Sequence, residues 1–385
     1  MNDRIFNFPT GRFDGIDLFA GPGGWDVAGR DLGLKLVGIE WDQSACDTRR
    51  AAGLSTLQGD VRTYGPGTDW FDHIVNFTDG FIASPPCQTF SIAGRGTGRA
   101  HIAALIDVIG VMNAASMTDL TEVRNLMAAH DMDDRSTLVV EPLRWIIAAD
   151  EAGLPFKWVA LEQVPSVLPI WEAMQDAMAT RGYVVQTAVL SSEQYGVPQT
   201  RRRAVLVARL DEQVELPAPT HSKYHSRSPE RLDNDVQPWV SMATALGWGL
   251  TERPSPTVCT GGAATGGAEP FGSGAGKSLL AAEAAGKWVQ RSNYSGPPRK
   301  GATTAAERGR GERSIDSPSF AITSKQFDFT GPDSARIRPN IADVAKLQTF
   351  PADHPFQGTK GKQHEQVGNA VPPVLAAAIL ANVTR

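Results

Sequence analysis

The sequence predicts an α/β protein in which an open sheet with helices on its faces is joined to a smaller, irregular second domain. Three observations carry that expectation. Short apolar runs suited to buried strands alternate with helical segments over the first 209 residues. A glycine-rich turn, Gly21-Pro22-Gly23-Gly24, follows the first such strand and leads into a helix, which lets a ligand approach backbone N–H groups at the helix amino end. From about residue 210 to about residue 330 the chain turns rich in Gly, Pro, Ser and Thr and loses helical periodicity.

The bulk composition sets bounds. At 385 residues there is room for one large domain and a smaller one with an ample core. A charged fraction of 21% beside a hydrophobic fraction of 41% is that of an ordinary globular protein. No run of eighteen apolar residues occurs, and Met1-Asn2-Asp3-Arg4 does not open a signal peptide, so the expected compartment is the cytoplasm. Cys46, Cys87 and Cys259 show no C-x-x-C spacing, which argues against disulfides and against a metal site. The net charge of -5 speaks weakly against a polyanionic partner. Distribution matters more than the sum, however, and basic residues gather at Arg201-Arg202-Arg203, at Arg95 and Arg99, and at Arg291, Arg299, Lys300, Arg308, Arg310 and Arg313. Any one such cluster is more often a solvated face.

In chain order, residues 16–20 read as a buried strand and 25–32 as a helix. Strand 35–39 ends in Glu40-Trp41-Asp42, about twenty residues after the glycines, where a carboxylate can accept hydrogen bonds from both ribose hydroxyls. Trp41 offers a flat face for a purine. Strand 55–58 ends in Gly59-Asp60-Val61, a second carboxylate able to accept from an adenine amino group. Either carboxylate taken alone is more often a helix cap. Residues 81–83 form a strand that runs into Ser84-Pro85-Pro86-Cys87-Gln88-Thr89-Phe90-Ser91. Each proline fixes its own φ and pushes the residue before it toward an extended conformation, so a stiff elbow presents the thiol at the strand's carboxyl end. The plainer reading is a proline turn with an incidental small residue.

Gly94-Arg95-Gly96-Thr97-Gly98-Arg99 reads as a basic loop able to close over a phosphate backbone, or as a plain surface loop. Residues 101–150 are expected to be mainly helical. Strand 156–161 then delivers Glu162-Gln163-Val164-Pro165 to the same edge as Cys87, which sets a carboxylate near a thiol. Helix 167–180 and strand 183–190 follow, and Gln199-Thr200-Arg201-Arg202-Arg203 opens strand 204–208. Alternation along an extended segment would turn Gln199, Arg201 and Arg203 together into the cleft. Gly272-Ser273-Gly274-Ala275-Gly276-Lys277-Ser278 imitates a phosphate-binding loop, but Phe271 stands where glycine is required and no strand precedes it. Residues 341–347 form a helix closed by Gln348-Thr349-Phe350-Pro351, and residues 366–373 lead into an apolar helix at 374–381.

In this order the motifs resemble the family of DNA cytosine-5 methyltransferases. The resemblance covers residues 17–24, Glu40-Trp41, Gly59-Asp60-Val61, Pro85-Pro86-Cys87-Gln88, Glu162-Gln163-Val164, residues 199–203, Leu347-Gln348-Thr349-Phe350-Pro351 and Gln366-Val367-Gly368-Asn369-Ala370-Val371-Pro372-Pro373. Each is weak alone, whereas the ordered set is specific. It implies a Rossmann-like, seven-stranded, mostly parallel sheet with helices on both faces, binding S-adenosylmethionine, in residues 10–209. Residues 210–330 would be a target-recognition domain, and 331–385 a segment returning to the catalytic domain, with the final helix against the first strand.

By the same resemblance, Phe19, Gly21, Gly23 and Gly24 would line the methionine part of the cofactor. Glu40 would hold the ribose, and Trp41, Asp60 and Val61 the adenine. Asn369 and Val371 would complete the pocket, and Pro86 would make a backbone contact with cofactor or target base. Cys87 would add to C6 of a flipped-out cytosine, Glu162 would bond N3 and the exocyclic amine, and Arg201 or Arg203 would hold O2. DNA contacts are expected at Gln88, Ser91, Arg95, Arg99 and Gln199.

The family's usual E-N-V stands here as Glu162-Gln163-Val164, which keeps the carboxylate and exchanges the amide that braces the loop. The stretch before residue 341 carries only an approximate ninth motif. The implied partners are double-stranded DNA and, functionally, a cognate restriction endonuclease, for a monomeric enzyme of a bacterium or its virus. Three rivals stand beside this reading: transfer RNA as the substrate, disfavoured by the long variable segment; a catalytically silent DNA-binding protein; and an ATP-using enzyme built around Lys277.

Overall fold

A computed structural model describes residues 11–86, 97–132, 136–228, 230–247, 288–291, 312–323, 327–331 and 336–385. The chain divides into two units. The first comprises Met1–Ser191, Arg202–Ala218 and Pro355–Arg385, the second Ser192–Arg201 and Pro219–His354.

The first unit begins with β1 (Phe13–Leu18), α1 (Gly24–Asp31), β2 (Leu36–Glu40), α2 (Gln43–Ala51), β3 (Ser55–Gln58), α3 (Asp69–Phe77) and β4 (Thr78–Ala83). Three helices follow, α4 (Thr97–Ala114), α5 (Leu120–Ala129) and α6 (Thr137–Glu151), then β5 (Trp158–Gln163), α7 (Leu168–Ala179) and β6 (Tyr183–Ser191). After the short β7 (Gln199–Thr200) of the second unit, the chain re-enters the first as β8 (Arg202–Leu210). The strands form one seven-stranded sheet in the order β3-β2-β1-β4-β5-β8-β6. β1 to β5 are mutually parallel, and β8 runs antiparallel to β5 and to β6. This is the mostly parallel sheet that the motifs imply.

Strands covered on both faces have no solvent side to mark with polar residues, so β2 and β5 are buried along their whole length. Two glycines have a packing reason. The β4–β5 register sets Gly80 opposite Trp158, and a Cβ on Gly80 would lie 1.9 Å from the indole. One on neighbouring Gly15 would lie 2.8 Å from it, so the ring rests on a strip of bare backbone across two strands. The strand order reverses between β1 and β4, the point at which α/β sheets open a crevice beyond their strand ends.

The first unit closes with α10 (Lys360–Asn369) and α11 (Pro373–Val383), numbered after α8 and α9 of the second unit. α11 packs chiefly on α1, and further on β5 and β8, in place of the expected first strand. β1 sits mid-sheet beside strands that α1 already covers, so the apolar face of α11 finds its room next to α1.

In the second unit, β9 (Val289–Arg291), β10 (Glu312–Ser314), β12 (Phe329–Thr330) and β13 (Arg336–Ile337) form an antiparallel sheet in the order β10-β9-β12-β13. β11 (Ser319–Phe320) pairs in parallel with β7. Two helices, α8 (Met242–Leu246) and α9 (Ile341–Leu347), and the 3-10 turn Ser192–Tyr195 also belong to it. Ser192–Arg201 and residues 331–354, expected with the catalytic domain and with the returning segment, group with this unit.

Gly80→Ala is expected to lower unfolding free energy by about 1–3 kcal/mol, because its methyl must displace the Trp158 ring. A urea titration followed by tryptophan fluorescence checks this.

Candidate active site

β1 ends at Leu18, earlier than the sequence suggests, and the chain then turns with positive φ at Phe19 (63°), Gly21 (53°) and Gly23 (98°). Glycine adopts this region freely, while a bulky residue such as Phe19 pays about 1–2 kcal/mol. The turn is pinned by Ala20 N–H to Ile39 O (3.1 Å) and Gly23 N–H to Ala20 O (3.1 Å). A side chain at Gly21 would project into open space, so the turn exposes bare backbone there. At Gly24 a Cβ would lie 2.3 Å from the Val371 carbonyl, so the C-terminal segment packs directly on the start of α1. Val371 is buried, and Asn369 is exposed.

Glu40, the last residue of β2, accepts from Gly21 N–H at 2.8 Å through Oε2, and from Trp41 and Asp42 N–H at 2.8 and 2.7 Å through Oε1. Burial raises its carboxyl above the usual range, opposed by these three N–H bonds and by Arg49. A carboxylate has about four acceptor sites, so about one is left for a ribose hydroxyl in place of the expected two. Trp41 is 78% exposed, its flat face uncovered. Asp60 caps the 3-10 turn Val61–Thr63 through Arg62 N–H and pairs with the Arg62 guanidinium at 2.6 Å, above a buried Val61. The cap reading thus holds for Asp60, while Glu40 instead clasps the glycine turn.

Behind that turn lies a charged cluster that sequence reading missed. Arg49 and Asp26 form a buried bidentate pair at 2.6 and 2.7 Å. Asp17, fully buried, lies close by, and no donor among the described residues reaches either of its oxygens. Burial and the Asp26 charge hold its carboxyl well above the usual range, with Arg49 opposing. In sequence Asp26 resembles a first-turn acid and Arg49 a last-turn base, so nothing local marks either as buried.

At the other end of the crevice, Glu162 and Gln163 are the closing residues of β5 itself and not of the loop beyond it. The Arg203 Nε stands 2.5 Å from Glu162 Oε1 as an ion pair, yet among the described residues no N–H or O–H is aligned on that oxygen. The Gln163 amide donates to the Pro85 carbonyl while its oxygen accepts from Val164 N–H. The longer amide therefore still braces the proline elbow. Pro86 is exposed at the elbow's end.

Arg201 does not join this group. Its buried guanidinium donates to Ile322 O at 2.7 Å within the second unit. Gln199, expected on DNA, is fully buried: its amide donates to Leu347 O at 2.9 Å and to Gln348, and its oxygen accepts from Ile322 N–H at 2.9 Å. Pairing of β7 with β11 turns both side chains into the second unit, so the alternation that was to gather them with Arg203 ends at the unit boundary.

Cys46 is buried, donates to Glu40 O at 3.2 Å and has its thiol pushed up to about 11 by burial and by Glu40, which makes it a poor nucleophile. Cys87, Gln88, Ser91, Arg95, Cys259 and Lys277 lie outside the described residues, as do Arg299, Lys300, Arg308 and Arg310. For Arg99 only the backbone, in α4, is described.

The braced elbow and the carboxylate–guanidinium pair lie at the same strand ends, beside the switch point where a Rossmann-like sheet binds its ligand. Comparison with known proteins narrows the class. The family model for C-5 cytosine-specific DNA methylases matches residues 13–112 and 130–385, and the chain belongs to that family. Type II methyltransferase M1.HphI of Haemophilus parahaemolyticus is 26% identical over 94% of this chain and 84% of its own length. Type II methyltransferase M.Sau96I of Staphylococcus aureus is 24% identical over 94% and 74%. Among solved structures, the Dnmt2 methyltransferase of S. pombe shares the fold with a TM-score of 0.55 at 12% identity, covering 96% of this chain and 97% of that one. The protein is a DNA (cytosine-5-)-methyltransferase.

Two outcomes are expected of the buried cluster. Arg49→Met strands the Asp26 charge and should cost about 3–5 kcal/mol of stability in urea. Asp17 ionises near 3.8 when unfolded and keeps its proton to higher pH when folded. Between those values the folded state binds the extra proton, so its contribution to stability falls as pH rises. The difference in unfolding free energy, wild type minus Asp17→Asn, should therefore decline as pH rises above about 4 in parallel urea titrations.

Proposed function

We propose that the methyl donor is S-adenosylmethionine and that the methyl group goes to C5 of a cytosine flipped out of a specific double-stranded DNA sequence, through a covalent adduct between Cys87 and C6. The residues around the glycine turn fit that donor: bare backbone at Gly21, a remaining acceptor on Glu40, and the uncovered Trp41 ring suit a methionine part, a ribose and a purine in turn. When bound, the donor supplies an electrophilic methyl on a sulfonium centre.

The observation that carries the reading is the Glu162–Arg203 pair, set at the end of the strand that braces the elbow ahead of Cys87. C5 of cytosine is a weak nucleophile. When the Cys87 thiolate adds to C6, the ring's electrons move toward C5, N3 and O2. Glu162 bonds N3 and the exocyclic amine, and Arg203 holds O2, so both support charge as it builds. Once C5 has taken the methyl group, which leaves the donor behind as a neutral thioether, loss of the C5 proton and expulsion of the thiolate restore the aromatic ring. In a duplex the stack hides C6, so the base must be extruded at a cost of about a few kcal/mol, which pocket and backbone contacts offset.

DNA contacts would come from Gln88, Ser91, Arg95 and Arg99 together with the second unit as recognition domain. The Type II names of the relatives suit a modification enzyme of a prokaryote or phage, working in the cytoplasm as a monomer, with a restriction endonuclease as its functional counterpart.

Cys87→Ala is expected to abolish labelled-methyl incorporation into unmethylated duplex DNA, and Glu162→Gln to slow it by about 10²- to 10³-fold. Full incorporation by Cys87→Ala ends this reading. A parallel arm offering transfer RNA separates the two substrates, and bisulfite mapping reports the target word.

A further inference from the structure

We infer that Ser84 and Trp25 form a clasp across the cofactor turn that couples methyl-donor occupancy to the placement of the elbow leading into Cys87. The inference rests on the catalytic reading above. Ser84 is the first residue after β4. Its N–H donates to Leu18 O at 3.3 Å, and its hydroxyl accepts from Trp25 Nε1 at 3.0 Å. Leu18 is the last residue of β1 and Trp25 the second of α1, so the two bonds bracket the whole turn, residues 19–24. Those are the residues that would meet the donor.

Trp25 is 2% exposed, and an indole has a single N–H, which here goes to Ser84. Phenylalanine would fill much of the space without a donor. Beyond Ser84, Pro85 O is fixed by the Gln163 amide. Pro85 and Pro86 have their φ angles locked by their rings, and Cys87 is the next residue in the chain. A shift of the turn on ligand binding is therefore delivered to Ser84 from both of the turn's ends, while β5 holds the elbow one residue further on. Trp25 and Ser84 act on the thiol only through this route and are positioning residues. Simple packing of Trp25 would alter stability and leave the coupling untouched.

The test uses the full-length enzyme and unmethylated phage DNA tritiated at cytosine C5. Without a methyl donor, the Cys87 thiolate adds to C6 and solvent protonates C5. Tritium then leaves C5 as the thiolate is expelled, and cytosine returns with hydrogen in its place. The ratio of tritium release with and without saturating S-adenosylhomocysteine, the methyl-free product, reads the coupling. The wild-type ratio is expected to be at least about fivefold, the low end of ordinary site-to-site coupling. Ser84→Ala and Trp25→Phe should each bring it within about twofold of one, and the double variant no further. Ser84→Thr, which keeps the hydroxyl, should retain the wild-type ratio. Ser84→Ala removes one oxygen from a half-buried site, so its result stands even where Trp25→Phe loses stability in urea. A wild-type ratio of one, or a wild-type ratio in Ser84→Ala, overturns the clasp. Tritium release that survives Cys87→Ala instead removes the thiol mechanism, and the clasp with it, in an arm that does not involve Ser84.

Discussion

An arginine side chain with no exposure to solvent holds the functional edge of the first unit together. The Arg49 guanidinium makes five hydrogen bonds: two to Asp26 on α1, one to Ala20 O in the glycine turn, and two to Ser55 O and Thr56 Oγ1 on β3. All five of its donors are used, which is the condition under which a buried charge is tolerated. Such a pair adds little net stability, because desolvating two ions offsets most of their attraction. Its effect is geometric. One planar group fixes the turn after β1, the first turn of α1 and the start of β3 relative to one another. Gly38 is its counterpart on β2, where a Cβ would lie 2.0 Å from Arg49 Nη2.

That geometry is passed outward by backbone groups. Glu40 holds Gly21 from the end of β2, and the Val371 carbonyl seats on Gly24. Both leave the outer side of the turn bare, which suits a ligand that must approach the main chain closely. At the far end of the crevice, two adjacent residues of β5 divide the work because successive strand residues point to opposite faces. Glu162 meets Arg203, and Gln163 meets the Pro85 carbonyl. Arg203 arrives because β8 runs antiparallel to β5, with Ala204 registered opposite Gln163. A carboxylate, its guanidinium partner and the braced elbow thus meet at one sheet edge although they come from three separate stretches of chain.

Much of this was legible in the residues. Apolar runs located the strands of the sheet, glycines with nothing else to recommend them located the turn, and the two prolines located the elbow. The substitution of Gln163 for asparagine raised a question that sequence could not answer. One extra methylene changes where an amide reaches, and only the position of the Pro85 carbonyl shows that it still arrives. The resemblance sets the final helix against the first strand, whereas its neighbours, α1 with β5 and β8, depend on how much of the sheet α1 leaves uncovered.

What the sequence by itself determined is the set of local decisions: which segments are strands, where the backbone must bend, and which residue types carry the chemistry. These follow from short-range sterics and from the period of apolar residues, and both are written in neighbouring positions. The tertiary structure alone decided which polar groups share a partner. Asp26 and Arg49 stand 23 residues apart, and Gln199 and Leu347 stand 148 apart. A charged or amide side chain looks the same in sequence whether it faces water or a buried partner, and its fate is set only when distant segments pack around it. For that reason Gln199 and Arg201 became internal struts of the second unit while Arg203, two residues on, reached Glu162.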